Sequence, residues 1–335
     1  MATLRAAVIG LGVGEQHILG YMRHPACSVT LICDIDDNKL DYARERYPGI
    51  RLTKKDDDIF KDPSIDVVSI ASFDQDHADQ ILRALQAGKH VFSEKPLCQT
   101  PQQLEIIKDK WTAHGGRIKL GCNFVLRAAP LYQYIRAQLA QGVLGTVYSF
   151  DSEYLYGRLN KITDGWRRNV TDYSVMQGGG IHMIDLMLWL TGERPDSVFS
   201  LGNRICTEGT PFRYDDYMTS LFEFPSGMIG RITANFGCVH RHQHVVRIFG
   251  TKGTFLYDDA GPRLHLARDP AIGPTYLDHP PLPSSKGDLI PDFASAIIEN
   301  KDINRETQIV LDGISISNAC DSALRHQRQE MIHYL

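Results

Sequence analysis

The chain has no CxxC pair. Its seven cysteines are Cys27, Cys33, Cys98, Cys122, Cys206, Cys238 and Cys320. Their odd number and wide spacing argue against both a disulfide framework and a zinc ribbon. Cys33 and Cys122 lie in apolar, strand-like runs, where a free thiol behaves as a small hydrophobe; a reduced, cytoplasmic protein is expected. Basic excess is also missing: 36 Lys+Arg stand against 40 Asp+Glu, a net charge of −4, with no basic run. Nucleic acid is therefore not an expected partner. No stretch approaches about 18 uninterrupted apolar residues, so no membrane span is expected. Met1–Ile9 lacks the charged-then-apolar shape of a signal peptide and reads as a first strand. There is no internal repeat and no low-complexity tract. What remains is ordinary globular composition, 43% hydrophobic and 23% charged over 335 residues, enough for two hydrophobic cores and two domains.

The segment up to Cys122 alternates strand and helix signals. Leu4–Ile9 is a short apolar run ending at Gly10, and Glu15–Arg23 carries Ile18, Leu19 and Met22 at helical spacing. Val29–Cys33 is a second β-rich run, followed by Asp34, and Asp37–Tyr47 reads as a helix closed by Pro48-Gly49. Val67–Ala71 is continuously apolar, as in a strand buried on both faces. Ala78, Ile81, Leu82 and Leu85 form a helical stripe that stops at Gly88. His90–Ser93 is another strand. Thr100-Pro101-Gln102-Gln103 starts a helix with a capping box and a first-turn proline. Ile118–Cys122 is the last strand of the series. Repeated units of this length predict a doubly wound parallel sheet, with ligands at the carboxyl ends of its strands.

Beyond Cys122 the pattern changes. Thr146–Tyr156, Asp216–Phe224, Met228–Phe236, Val245–Phe249 and Thr254–Tyr257 read as strands, with Pro225-Ser226-Gly227 a hairpin turn. They predict an open, mostly antiparallel sheet. A single prominent helix, Ile181–Leu190, is stopped by Gly192. Pro270–Lys286 reads as loop, and two helices close the chain near Asp288–Asn300 and Arg305–Glu330. The fold class is α/β, divided as residues 1–122 and 123–335, with the final helix (Leu324, His326, Met331) packing back towards the first domain.

Gly10-Leu11-Gly12-Val13-Gly14 follows the first strand and opens the first helix. Glycines there let the backbone approach a pyrophosphate, and the helix N-terminus supplies free N–H groups. The GxGxG spacing is one residue short of the usual fingerprint. Asp34 stands at the end of the second strand, where a carboxylate binds the ribose hydroxyls of NAD. Asp36 and Asp37, close behind it, would repel the additional phosphate of NADP, so NAD is the expected cofactor. Ser72, His77, Glu94 and Lys95 are counted with this site, His77 as a cap on the cofactor loop rather than a chemical group.

Glu94-Lys95-Pro96 directly follows a strand, on the ligand edge of the sheet, and Asn123 and Arg127 follow the last one. Gly178-Gly179-Gly180 leads into Ile181-His182-Met183-Ile184-Asp185. With the run Ala84-Leu85-Gln86-Ala87-Gly88-Lys89-His90-Val91 before Glu94-Lys95-Pro96, the whole chain resembles the Gfo/Idh/MocA oxidoreductase family, which includes glucose–fructose oxidoreductase and inositol dehydrogenase. The resemblance implies a Rossmann domain joined to an open antiparallel sheet. It also implies an NAD(P) cofactor, a sugar, inositol, sugar acid or nucleotide sugar as substrate, and dimers or tetramers formed through the sheet.

Oxidation of a secondary alcohol needs a proton acceptor and a group that stabilises charge on the oxygen. His182, with an unperturbed pKa near neutrality, suits the first task, and Lys95 the second. The resemblance implies the same pairing. Asp185, one turn beyond His182, is expected to orient the imidazole or hold a substrate hydroxyl. Asn123, Arg127, Tyr156 and Arg167 are the expected substrate contacts, with Trp166, Arg158 and Arg168 close in sequence. The Lys95–Pro96 bond is of the kind that can be cis. The three glycines are expected to leave N–H groups open to substrate at a helix N-terminus.

The sequence departs from the family at one position. Many members carry an aspartate or tyrosine one turn before the histidine, where this chain has Gly178. Either His182 acts alone or another residue moves in, with Tyr173, Asp172 and Asp164 the nearby candidates. His240, His242 and His244 alternate as on one side of a strand, but nothing completes four ligands and no metal is expected. Two other classes share the fold: an enzyme that retains NAD and uses transient oxidation for elimination or hydrolysis, and a non-catalytic nucleotide sensor.

Overall fold

The computed structural model describes residues 3–165, 167, 170 and 173–335. They form two compact units, Met1–Ala128 with Pro283–Leu311 and Leu335, and Ala129–Leu282 with Asp312–Tyr334. The first unit closes at Ala128 rather than Cys122. The segment that returns to it is 283–311, whereas Leu324, His326 and Met331 lie in the second unit. Among the described residues, no helix is long and apolar enough to cross a membrane. All seven cysteines are free thiols.

The first unit is built on a six-stranded sheet of order β3-β2-β1-β4-β5-β6. Its strands are β1 (Leu4–Ile9), β2 (Cys27–Cys33), β3 (Arg51–Thr53), β4 (Val67–Ile70), β5 (His90–Ser93) and β6 (Leu120–Cys122). Every pair is parallel. All of β4 is buried, as its unbroken apolar run requires. The helices are α1 (Gly14–Met22), α2 (Asp37–Arg46), α3 (Asp57–Lys61), α4 (His77–Gln86) and α5 (Pro101–Thr112). The capping box of α5 forms as read: the Gln103 amide donates to Thr100 Oγ1, and the Gln103 side chain accepts from the Thr100 amide. The unit's core also takes Ile290, Phe293 and Ala294 from α9 (Ile290–Ile298). Gly121 in β6 lets Phe293 approach, since a Cβ there would overlap its ring.

The strand order reverses between β1 and β4, the position at which doubly wound sheets open a crevice for ligands. Gly10 ends β1 with φ +89°, and a Cβ there would run into the carbonyl oxygen of Ala71 at the end of β4. Glycine is thus required twice over at this position, by conformation and by space.

The second unit carries a nine-stranded sheet of order β14-β13-β12-β11-β7-β10-β9-β8-β15. It comprises β7 (Val147–Leu155), β8 (Ser197–Asn203), β9 (Tyr217–Glu223), β10 (Ile229–Asn235), β11 (Gln243–Gly250), β12 (Thr254–Asp258), β13 (Gly261–His265), β14 (Thr275–Tyr276) and β15 (Glu330–Met331). The sheet is mixed: β10 runs parallel to β7, and the other pairs are antiparallel. The β9–β10 hairpin turns at Gly227, whose φ is +83°.

Helices α6 (Pro130–Ala140), α7 (Asn160–Thr163) and α8 (Ile181–Thr191) belong to this unit, and α10 (Asn304–His326) enters it from Asp312 onward. Helix α8 is apolar on nearly every side and correspondingly buried, the pattern of a helix enclosed by its own domain. Gly192 ends it in the left-handed conformation at φ +72°, as its sequence position suggested.

Candidate functional site

The first unit contains a cradle that fits a dinucleotide. Space is open above Gly12, where a Cβ would meet nothing within 4 Å, while one at Gly14 would press on Val8 and Ala71. Helix α1 opens at Gly14, and its N-cap residue Val13 makes no side-chain hydrogen bond to the first turn, so no side chain competes with an anion at this helix end. Asp34 is buried, at 5% exposure. Its Oδ2 accepts from the Leu11 amide at 2.6 Å and its Oδ1 from the Asp36 amide at 2.9 Å. Oδ1 keeps a second lone pair for a ribose hydroxyl, whereas Oδ2 also accepts from Lys39 Nζ. Lys39 Nζ lies 3.4 Å from Oδ2. Leu11, Glu15, Asn38, Lys39 and Tyr42 line a shallow pocket beside this carboxylate.

Ser72 and His77 follow β4. The Ser72 hydroxyl donates to Gln80 Oε1 at 2.7 Å. His77 is fully buried; its Nδ1 donates to the Pro96 carbonyl at 2.7 Å, and Nε2 lies 3.3 Å from the Ser72 carbonyl. Its ring joins the loop that follows β4 to the loop that follows β5. The Lys95–Pro96 bond is cis.

Glu94 follows β5, with its side chain 14% exposed. Burial by itself would raise its carboxyl. Hydrogen bonds from His17 and Asn123, with the charges of His17 and Lys95, outweigh that and hold it down at about 2. An ionised carboxylate only accepts, so the imidazole 3.2 Å away donates to it through Nε2. Asn123 was expected to touch substrate. It is instead fully buried, and its amide donates to Glu94 Oε1 at 2.7 Å and to the Lys286 carbonyl at 2.8 Å. With its donors committed inside the unit and no exposed surface, Asn123 serves the fold of this loop. Arg127 is half-buried, its guanidinium 5.7 Å from the centre of the Phe124 ring.

His17 escaped the sequence reading, which treated α1 as an apolar stripe through Ile18, Leu19 and Met22. The buried face is instead Gly14, His17, Ile18 and Tyr21, and Met22 is 52% exposed. A histidine spaced with Gly14 and Tyr21 on one helical face was the available signal.

In the second unit, His182 stands in the first turn of α8, partly exposed. The Tyr154 ring stacks on it at 6.0 Å, and His244 meets it edge-on at 6.3 Å. Tyr156, Phe236 and His242 complete the cluster, with Tyr156 4.6 Å from Phe236 and 5.5 Å from His242 between ring centres. His244 was read as one of three alternating histidines. It lies within this cluster, where burial and then the neighbouring His242 lower its pKa to about 3. His242 precedes β11 and bonds to the Leu155 carbonyl at 3.1 Å. His240 turns away to pair with Asp259 at 3.1 Å. The three therefore do not share one face, because β11 begins only at Gln243. Asp185 is buried on α8, at 1% exposure.

The glycine run is a correction. Met176–Gly180 forms a turn of π-helix that continues directly into α8, so α8 has no free N-terminus at the glycines. All three are buried, and the Gly178 amide already donates to the Ser174 carbonyl at 2.8 Å. Packing demands the run. A Cβ at Gly178 would collide with the Tyr173 hydroxyl, one at Gly179 with the Tyr154 ring, and one at Gly180 with Met176 Sδ. Arg167 lies over the Tyr173 ring at 5.9 Å. Asp164 is exposed, and Trp166, Arg168 and Asp172 lie outside the described residues.

Comparison with known proteins identifies both units. Residues 4–122 match the model of an oxidoreductase family with an NAD-binding Rossmann fold, GFO/IDH/MocA. Residues 132–256 match the GFO/IDH/MocA C-terminal domain. Levoglucosan dehydrogenase of Pseudarthrobacter phenanthrenivorans is 25% identical over 295 residues, covering 77% of this chain and 74% of that protein. D-glucoside 3-dehydrogenase of Escherichia coli is 27% identical over 281 residues, covering 78% and 77%. A solved levoglucosan dehydrogenase in complex with NADH superposes with a TM-score of 0.87 at 21% identity, covering 99% of this chain and 100% of that one. The chain belongs to the GFO/IDH/MocA family of oxidoreductases, whose Rossmann domain binds NAD.

Proposed function

We propose that this protein is an NAD-dependent dehydrogenase or reductase that moves a hydride between nicotinamide and a secondary alcohol or ketone of a polyhydroxylated substrate. The substrate class is a sugar, inositol, sugar acid or nucleotide sugar. The observation that carries this reading is that one member of an NAD-binding oxidoreductase family holds both Lys95, on a pinned loop of the first unit, and a partly exposed His182, beside aromatic rings in the second. Tyr156, partly exposed and backed by the buried rings of Tyr154 and Phe236, offers a flat apolar face for the C–H face of a sugar ring, with polar groups fixing its orientation.

Bound NAD supplies the hydride acceptor. His182 takes the hydroxyl proton as the C–H bond gives up its electron pair, and Lys95 donates to the same oxygen as charge develops on it. Tyr173 takes the place left by the missing side chain at Gly178, since its hydroxyl already fills that space. Asp34 selects NAD over NADP, because a buried carboxylate beside Asp36 and Asp37 repels a 2′-phosphate. Tyr156, Arg167 and Arg127 complete the reading as substrate contacts, while Asp185, buried one helical turn beyond His182, orients the imidazole.

Self-association through the sheet of the second unit belongs to the same reading. Leu201, Leu221 and Ile229 are 56%, 48% and 49% exposed. The register places Leu221 beside Arg231, and Arg231 beside Asp151, so apolar side chains and the ion pairs of Arg231 with Asp151 and Glu153 share one outer face. A face of that kind is rarely left to water.

The test is to incubate the protein with NAD and inositols, aldoses, sugar acids and nucleotide sugars and to follow reduced nicotinamide by absorbance. Reduction that disappears in Lys95→Ala and His182→Ala supports the reading. Silence across the set, with NAD retained in the purified protein, moves it to an internal-redox enzyme or a nucleotide sensor.

A further inference from the structure

Two buried histidines grip the residues on either side of Lys95. On one side, His17 of α1 lies 3.2 Å from Glu94 Oε1 through Nε2 and 2.9 Å from Ser69 Oγ through Nδ1. Its ring stands edge-on to Phe92 at 5.6 Å. Asn123 donates to the same Glu94 oxygen at 2.7 Å and is itself tied to the Lys286 carbonyl at 2.8 Å. On the other side, His77 of α4 donates to the carbonyl of Pro96 at 2.7 Å. The main chain is pinned between them, with the Glu94 amide on the Ile70 carbonyl and the Ser93 hydroxyl on the Glu94 carbonyl, at 2.8 and 2.9 Å. His17, Ser69, His77 and Asn123 have at most rounding-level exposure.

Polar groups this deep are costly to bury, and an apolar filling of the same shape often holds a fold as well or better. What an apolar filling cannot do is fix a loop by directional bonds from both sides. Reactive groups need such fixing, to within about 0.5 Å, by neighbours that are themselves locked. The grips thus hold the main chain on both sides of Lys95.

We infer that His17 and His77 are positioning residues for Lys95: His17, with Asn123, fixes it through Glu94, and His77 fixes it through Pro96. The inference rests on the proposed role of Lys95 and adds the device that holds it. His17 and His77 act through other residues and touch neither substrate nor cofactor in this scheme.

The device is tested on the full-length protein by a readout that needs no turnover. Lysines are acetylated with a limiting amine-reactive ester, and the rate at Lys95 is followed by mass spectrometry against that of the exposed Lys110. Replacement His17→Leu keeps the volume but leaves Glu94 without its ring donor, and is expected to change the Lys95 rate at least threefold with Lys110 unchanged. His17→Gln, whose amide can still reach Glu94, is expected to restore most of the native rate. His77→Leu tests the second grip independently, should His17→Leu not fold. On any substrate that reduces NAD, the Leu variants are expected to lose about tenfold or more in kcat, with KM for NAD moved less than threefold. An unchanged Lys95 rate in folded Leu variants overturns the inference and reduces the histidines to fold stabilisers. Full activity in Lys95→Ala would instead contradict the proposed function, a failure that the labelling rates distinguish.

Discussion

The hydroxyl of Tyr173 occupies the space into which any side chain at Gly178 would project. The two positions are coupled: residue 178 can be glycine because Tyr173 is there, and it must be glycine while Tyr173 stays. The Tyr173 ring is held edge-on to Phe212 at 5.7 Å and to Phe236 at 6.4 Å, so it has no easy retreat. Gly178→Ala should therefore cost about 1–3 kcal/mol, the usual penalty of overpacking, read as a lowered urea midpoint. Tyr173→Phe should keep stability within about 1 kcal/mol but lower kcat about 10- to 100-fold, toward the lower end of what one acid/base group contributes. The double variant Tyr173→Ala/Gly178→Asp clears the ring and restores a polar group at the same place, so it should recover part of the kcat lost in Tyr173→Ala. No recovery, with the double variant folded, contradicts the exchange.

Cofactor choice follows from Asp34. Its carboxylate is buried and already braced by the amides of Leu11 and Asp36, so it meets a ribose at little cost in ordering. Asp34→Ala should weaken NADH binding about tenfold and narrow the preference over NADPH, measured by fluorescence titration of both. An unchanged preference places the discrimination elsewhere.

Acid should destabilise the protein before its carboxylates titrate. His90 is lowered to about 4, by burial and then by Lys119, and His244 to about 3. Both lie below the ordinary 6.5, so the unfolded chain takes up protons first. Stability tied to these neutral rings is fully present above pH 6.5 and falls as pH drops towards 4 for His90 and towards 3 for His244. Linkage gives about 1.4 kcal/mol per pH unit for each ring. Urea midpoints from pH 7 to 4 should decline accordingly, and His244→Phe should flatten the decline. An identical slope in that variant rules His244 out as a source.

Association through the outer sheet face is tested at Leu221, which is 48% exposed beside the Arg231 ion pairs. Leu221→Lys should convert an oligomer to a smaller species in sedimentation equilibrium without loss of the thermal transition. A native protein that already sediments as a monomer contradicts the proposal outright.

Much of the first unit was legible because its signals are local. Apolar runs between helix starts revealed the parallel strands, and Thr100 and Gln103 announced their capping box. Gly10 and Asp34 stood where the end of a strand meets a ligand crevice. In the second unit the hairpin at Gly227 was equally local. The parallel pairing of β10 with β7 was not, because it joins strands far apart in the chain and leaves no mark on either one. The return of residues 283–311 to the first unit was hidden for the same reason. Gly178 to Gly180 misled because glycine is ambiguous: the sequence suggests an open backbone, whereas here three neighbours, Tyr173, Tyr154 and Met176, leave no room for a side chain. Asn123 and His17 illustrate the remaining limit. A polar residue near a strand end can face a ligand or face inward, and only the partners found by folding decide between them.

The most direct measurement of the central claim is hydride transfer to NAD across a set of inositols, sugars, sugar acids and nucleotide sugars, repeated with Lys95→Ala and His182→Ala. The account predicts that at least one polyhydroxylated substrate yields NADH and that each replacement lowers kcat at least about 100-fold while NADH still binds. Undiminished turnover in either folded variant would contradict it.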